Sequence, residues 1–322
     1  MNQQQKIAVT VITGFLGAGK TTFINQLLKN YSDTQFALVE NEFGDISIDT
    51  QLIKGVEASQ LFELKNGCIC CTITNEYEGI LAELADRFPH VEHLWIETTG
   101  IADPTAVIRP FFRDENLQEL YQFERCVCLV DAENFETQPD KGIALKQLAV
   151  ADVTIVTKAE QFSEKEKNVF RQTVYEINPL SRIYFADFGK VNEFDLLSSI
   201  IKNGWYEVPD SGHFHSEIKT KTLMFQQPLQ KEDFLRKLEY NLDVYKNEVY
   251  RAKGILYFED ELYETILQGV GGSFELIEGE NLNSGQESVL VLIGRLKDVQ
   301  YDLFYWSLTK KNQPKRNNNH WK

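Results

Sequence analysis

Gly14-Phe15-Leu16-Gly17-Ala18-Gly19-Lys20-Thr21-Thr22 is the stretch that decides how the rest of the chain is read. Its fixed positions match G-x-x-x-x-G-K-[ST], the spacing with which a glycine-rich loop wraps a phosphate. Residues 7–13 before it are apolar and β-branched, and residues 21–30 after it have helical spacing. A strand, a loop and a helix N-terminus in that order aim several backbone N–H groups and the positive end of a helix at one anion. Gly14, Gly17, Ala18, Gly19, Lys20, Thr21 and Thr22 are therefore candidate phosphate-binding residues. Lys20 would reach the β- and γ-phosphates, and the Thr21 hydroxyl would hold Mg²⁺. The competing reading is a glycine-rich turn without a ligand.

Outward from this loop, short apolar runs alternate with helical stretches as far as residue 205. Strands are expected at 7–13, 35–40, 92–97, 125–130, 152–157 and 182–186, with helices near 20–30, 74–87, 105–112, 141–149, 163–177 and 193–202. Repeated βαβ units of this kind predict an α/β fold, a doubly wound and mostly parallel sheet with helices on both faces. After the turn-rich Val208-Pro209-Asp210-Ser211-Gly212 the order changes: a strand-like 213–226, a helix-like 231–243, strands near 251–258, 262–268, 273–278 and 288–294, and a helix near 297–308. The expectation is a first domain over 1–205, a smaller α+β domain over 206–309 and a frayed basic tail over 310–322.

Composition narrows the function classes. Among 322 residues, 48 acidic side chains face 33 basic ones, a formal charge of −15, which disfavours nucleic acid and anionic membranes as partners. The apolar run at 7–16 is too weakly flanked by positive charge to be a secretory signal, and it leads straight into the charged phosphate loop. Three of the five cysteines crowd at Cys68, Cys70 and Cys71, unlike a secreted disulfide framework, so reduced thiols and a cytoplasmic location are expected.

Three further segments carry chemistry. Leu94-Trp95-Ile96-Glu97-Thr98-Thr99-Gly100 is a buried-strand pattern ending in a carboxylate and a glycine. Glu97 could help position Mg²⁺, through a water rather than directly, and Gly100 could let a backbone N–H approach the γ-phosphate; otherwise Glu97 only caps the following segment. Thr157-Lys158-Ala159-Glu160 varies the guanine-reading pattern N-K-x-D. A carboxylate at Glu160 would accept from the guanine N1–H and 2-amino groups, with Lys158 along the base; the alternative is a solvated Lys–Glu pair. Asn66-Gly67-Cys68-Ile69-Cys70-Cys71-Thr72, with Glu40-Asn41-Glu42-Phe43-Gly44-Asp45 upstream, offers thiolates and carboxylates for zinc, cobalt or nickel. Three cysteines within four residues crowd a single ion, so one or two thiolates joined by carboxylates are expected, against half-buried thiols without metal. Cys126 and Cys128 share a strand face and read as core. His213 and His215 share another face and lack further ligands, and His90 and His93 read as surface.

Together, T-G-F-L-G-A-G-K-T-T at 13–22, E-N-E-F-G-D at 40–45, N-G-C-I-C-C at 66–71, E-T-T-G-I-A-D-P at 97–104 and T-K-A-E at 157–160 resemble the CobW-like family. Its members are P-loop GTPases regarded as metallochaperones and related to nickel-insertion GTPases. Arg251-Ala252-Lys253-Gly254-Ile255-Leu256 extends the likeness, resembling the R-x-K-G-x-L signature of that family's C-terminal domain. The resemblance implies a metal site made by the cysteines with Glu40 and Asp45, Cys70 foremost. Two departures stand out: Glu160 occupies a position usually held by Asp, and no histidine-rich loop occurs.

The function these readings imply is a Mg²⁺-dependent GTP hydrolase, cycling between GTP and GDP, that couples nucleotide state to delivery of a transition metal to a client metalloprotein. Zinc ranks first, with Co²⁺ or Ni²⁺ as alternatives, and the chain would act as monomer or homodimer. No arginine finger is identifiable, so slow hydrolysis is expected without a client. The competing classes are a metal-buffering or sensing protein with incidental nucleotide binding, and an ATP-using P-loop kinase, which would need an acceptor base and a lid.

Overall fold

The computed structural model describes residues 6–31, 36–40, 61–63, 74–191, 196, 217–281 and 287–309; at 40, 61–63 and 74–76 it describes the backbone alone. The first domain is built on β1 (Ile7–Gly14), β2 (Phe36–Glu40), β3 (Leu61–Glu63), β4 (His93–Glu97), β5 (Tyr121–Asp131), β6 (Val153–Thr157), β7 (Arg182–Asp187) and β8 (Lys190–Val191). These form one sheet in the order β3-β2-β4-β1-β5-β6-β7-β8, parallel except for the β7–β8 hairpin. Its helices are α1 (Lys20–Asn30), α2 (Thr74–Arg87), α3 (Pro104–Ile108), α4 (Pro110–Arg113), α5 (Glu115–Leu120), α6 (Lys141–Val150) and α7 (Glu164–Ile177).

Because side chains alternate along a strand, a sheet covered on both faces must bury both alternations. On β5, Cys126, Cys128 and Val130 enter one apolar cluster with α2, α3, α6 and α7, while Val127 and Leu129 enter a second cluster with Phe23, Ile24 and Leu27 of α1. Trp95 of β4 is buried and stacks on Phe36 of β2 with ring centroids 4.4 Å apart. The expected doubly wound sheet is the observed one, and Cys126 and Cys128 are core residues.

The differences are local. β5 begins at Tyr121 rather than 125, because Arg125 is buried on the strand and paired with Glu124. The single helix expected near 105–112 is instead α3, α4 and α5. Pro104 and Pro110 each stand where a helix starts and an N–H is dispensable, and the Asp103 and Asp114 carboxylates cap α3 and α5. The helix expected at 193–202 falls outside the described residues apart from Leu196, and so do the 205/206 junction, His213, His215 and the tail.

The second domain contains β9 (Lys219–Phe225), α8 (Lys231–Val244), β10 (Val249–Leu256), β11 (Tyr263–Val270), β12 (Ser273–Asn281), β13 (Ser288–Gly294) and α9 (Asp298–Thr309). Its antiparallel sheet runs β12-β11-β10-β13-β9, with α8 and α9 packed through Phe234, Leu238, Phe304 and Leu308. Ile218, Tyr250, Val270 and Ile293 bury into the same cluster as Ile108 and Val150, so an apolar interface joins the two domains.

Polar groups are enclosed in that interface. Asp152, before β6, pairs with Arg251 at 2.5 Å and with Lys253, both on β10, and all three side chains are at most 2% exposed. Burial pulls the Lys253 ammonium down to about 8 against the attraction of Asp152. Burial raises the Asp152 carboxyl, but the two cations outweigh it and hold the group below its ordinary value. On β12, Glu275 accepts from Gln122 Nε2 of β5 at 2.9 Å, and burial pushes its carboxyl from 4.5 up to about 7. An acid whose folded pKa is raised binds more protons folded than unfolded. Its contribution is therefore complete below pH 4.5 and lost as pH rises through 7. Urea unfolding at pH 5 and pH 7.5 is expected to show a loss on the order of 2 kcal/mol from this group, absent in Glu275→Gln. An unchanged pH slope in the variant would show that Glu275 is already ionised below pH 5.

Candidate nucleotide site

The carboxyl ends of β4, β1, β5 and β6 converge at one edge of the sheet, where parallel α/β folds bind ligands. The loop leaving β1 turns tightly. Gly14 has φ 141°, and a Cβ there would lie 2.4 Å from the Leu129 carbonyl, which admits only glycine. Gly17 and Gly19 have φ 77° and 86°, and Ala18 N–H donates to Phe15 O at 3.1 Å. Gly19 is the N-cap of α1 and supplies no capping side chain, and no acidic residue lies in the first turn, so this helix end keeps its positive character. Lys20 Nζ donates to Gly14 O at 2.9 Å, folding the ammonium back over the loop.

The end of β4 lies beside this loop. Thr98 N–H donates to Ile12 O, and Thr98 Oγ1 donates to Thr13 Oγ1, each at 2.9 Å. Glu97 is in register with Ile12 of β1 and with Glu40 of β2. Gly100 is a close-approach glycine: a Cβ would come within 2.5 Å of the Leu16 nitrogen. Structure thus brings together the two segments that the sequence assigns to the γ-phosphate. The Thr21 hydroxyl and the Glu97 carboxylate are hard oxygen donors, the kind that Mg²⁺ takes.

The third segment docks from the other side. Thr157 Oγ1 donates to Ala18 O at 2.9 Å and Val130 O at 3.2 Å, clasping the phosphate loop. Lys158 has φ 56°, and its ammonium donates to Asp131 Oδ2 at 2.7 Å. Asp131, buried at the end of β5, also accepts from Glu133 N–H, Asn134 N–H and Asn134 Nδ2. Burial alone would raise its carboxyl, yet the Lys158 and Asn134 contacts hold it below the ordinary value. The Lys158 head is pinned on Asp131 while its side chain stays partly exposed. Glu160 is exposed, with one oxygen accepting from Phe188 N–H at 3.3 Å.

Sequence reasoning missed two parts of this site. Asp131 ends the apolar run of β5, and an acid closing a buried strand was the available signal. The Phe188-Gly189 turn, with φ 46° and 81°, lies against Glu160 and against Thr22, whose Cγ2 and carbonyl would be 3.0 Å from a Cβ at Gly189. Its Asp-Phe-Gly-Lys composition after a strand is a turn signal.

The metal candidates are placed only in part. Asp45, Cys68, Cys70 and Cys71 lie outside the described residues, and of Glu40 the backbone alone is described. That backbone puts Glu40 in register with Glu63 on β3 and Glu97 on β4. Among the described residues no group of three or more His, Cys, Asp or Glu could hold a metal ion, and no helix is long and apolar enough to cross a membrane.

Comparison with known proteins adds to this geometry. A zinc chaperone from Escherichia coli (strain K12), YjiA, is 33% identical over 279 residues, spanning 82% of this chain and 86% of the relative. The zinc-regulated GTPase metalloprotein activator 1 of Schizosaccharomyces pombe is 27% identical over 316 residues, spanning 84% and 77%. The crystal structure of Zn(II)-bound YjiA GTPase from E. coli superposes with a TM-score of 0.66 at 26% identity, covering 96% of this chain and 100% of that one. The CobW/HypB/UreG nucleotide-binding domain model matches residues 8–185, and the cobalamin synthesis protein cobW C-terminal domain model matches 218–303. The chain therefore belongs to the CobW/HypB/UreG family, in the branch that carries the CobW C-terminal domain.

Proposed function

We propose that this protein is a Mg²⁺-dependent GTPase, working in the cytoplasm, that couples its nucleotide state to the binding and release of a transition metal, zinc foremost, for delivery to a client metalloprotein. One observation carries the reading. In the order β3-β2-β4-β1 the carboxyl ends are in register, so the segment bearing the cysteines leaves Glu63 at the same sheet edge where the phosphate loop leaves Gly14. Three strand spacings separate them, about 14 Å at 4.8 Å each. The segment re-enters at α2, where Tyr77 OH donates to Val107 O of α3, the helix that follows the Gly100 loop. A metal bound there and a γ-phosphate bound at the loop would press on connected backbone. The zinc-associated relatives support the choice of metal.

In this reading Lys20 and the α1 N-terminus hold the β- and γ-phosphates, with Gly14, Gly17, Ala18, Gly19 and Thr22 shaping the cradle. Thr21 and Glu97 are the residues that would hold Mg²⁺, Glu97 through a water, and the ion would supply positive charge beside the phosphates. Because Thr157 is occupied in clasping Ala18, base selection falls to Glu160, whose second oxygen can accept from the guanine N1–H and 2-amino groups, with Lys158 beneath the ring. Glu40, Asp45 and thiolates from Cys68, Cys70 and Cys71 hold the cargo ion, Cys70 foremost.

Coupling must be reciprocal: whatever factor GTP adds to zinc affinity, zinc adds to GTP affinity. Zinc titrated into the protein with a non-hydrolysable GTP analogue is expected to bind at least about fivefold tighter than with GDP. Cys70→Ala is expected to weaken zinc binding and leave GDP binding alone. Equal zinc affinities in the two nucleotide states would remove the delivery model, and an unaltered Cys70→Ala titration would remove the ligand assignment.

A further inference from the structure

Helix α6 is apolar nearly all round and buried, yet it carries Gln147 at 0% exposure. Such an amide needs partners, and it finds them on one loop: Gln147 Nε2 donates to Gly100 O at 3.1 Å and to Ala102 O at 3.0 Å. The preceding residue holds the far end of the same loop. Lys146 Nζ donates to Asp103 Oδ2 at 2.7 Å, and Asp103 caps α3 by accepting from Thr105 N–H and Thr105 Oγ1. The segment from Gly100 to Asp103, which follows the candidate Mg²⁺ carboxylate and packs on the phosphate loop, is therefore held from α6 by two adjacent side chains.

We infer that Gln147 is a positioning residue for the γ-phosphate: it fixes the carbonyl of Gly100, and through it the orientation of the Gly100 peptide that meets the third phosphate. The inference rests on the proposed nucleotide cycle and adds a residue to it. Two polar groups at this clamp stand open. Thr99 Oγ1 and Gln147 Oε1 are both buried and have no hydrogen-bond partner among the described residues. The first can donate and the second accept, so a rearrangement of the turn that gave each a partner would be favoured. The triphosphate selects one arrangement only through its differential affinity for the two.

Gln147→Met keeps the length of the side chain and removes both donors; Gln147→Asn keeps an amide drawn back by one methylene, should the methionine variant fail to fold. For either variant, GDP affinity is expected to stay within about twofold of wild type, because the α1 cradle is untouched. Affinity for the non-hydrolysable GTP analogue is expected to fall about tenfold. Equal weakening of both nucleotides would mark a merely structural residue, and no change in either would show that the loop is held without it; each overturns the inference. Should wild type prefer adenine, the ATP-analogue and ADP pair reads the same ratio, so an error in base selection stays separate. Amide hydrogen exchange at 99–103 without nucleotide gives a reading independent of any ligand. It is expected to speed up at least tenfold in the variant while the β1 and β5 amides are unchanged, and unaltered exchange overturns the clamp.

Discussion

Lys20→Ala lowers single-turnover GTP hydrolysis by roughly 10² to 10³-fold and leaves the protein folded; this is the largest functional effect expected of any single substitution here. Lys20 is the first residue of α1, and its ammonium donates to Gly14 O in a part-buried hydrogen bond. That bond contributes about 1 kcal/mol, and alanine returns part of it as a better helix former. The cradle itself depends on Gly14, Gly17 and Gly19, on the Ala18 turn and on the Thr157 clasp, none of which passes through Lys20. What the variant loses is a positive charge at the mouth of the loop, where the β- and γ-phosphate oxygens accumulate charge in the transition state. Circular dichroism melts should superpose while the hydrolysis rate collapses. A variant retaining more than a fifth of the wild-type rate would mean that the measured activity does not arise at this loop.

The phosphate loop and the doubly wound, mostly parallel sheet were legible because each rests on a local pattern, whereas the spatial order of the strands is set by long-range pairing. Short continuous apolar runs marked β1, β4 and β6, helical spacing marked α1, α2 and α7, and glycine spacing fixed the loop. Elements missed were too short to carry a period: β3 has three residues, β8 two, and α4 four. Partnerships across sequence distance were also out of reach. Thr157 stood in the sequence only as the first position of the guanine-reading variant, and its bond to Ala18, 139 residues away, gives it a task the motif does not state. Gln147 was invisible for the same reason, since a polar residue in an apolar helix gives no hint of which carbonyls it will meet. Arg251 and Lys253 alternate along β10 as solvated charges would, yet every residue of that strand is buried.

Those two cations make Asp152 the residue whose loss should cost the fold most. Asp152→Ala is expected to destabilise by about 3–5 kcal/mol, since one deletion strands two charges inside the protein. The carboxylate accepts from Arg251 and Lys253 across the domain interface and from Cys126 N–H within the first sheet. Lys253, already drawn down to about 8, can respond by losing its proton. Arg251 cannot, and its Nε and Nη1 have no hydrogen-bond partner among the described residues. The cost therefore falls chiefly on the guanidinium, which must stay charged beside Gln268 Oε1 at 3.2 Å as its remaining neutral partner. A variant with Asp152→Leu, Arg251→Met and Lys253→Leu is expected to recover most of the loss, because an apolar interface avoids the desolvation that the ions incur. Urea unfolding of the two variants separates these terms. A loss below about 1 kcal/mol in Asp152→Ala would show that the interface admits water to the cations. Failure of the triple variant to recover would show that the ion cluster sets how the two sheets meet, beyond balancing its own charge.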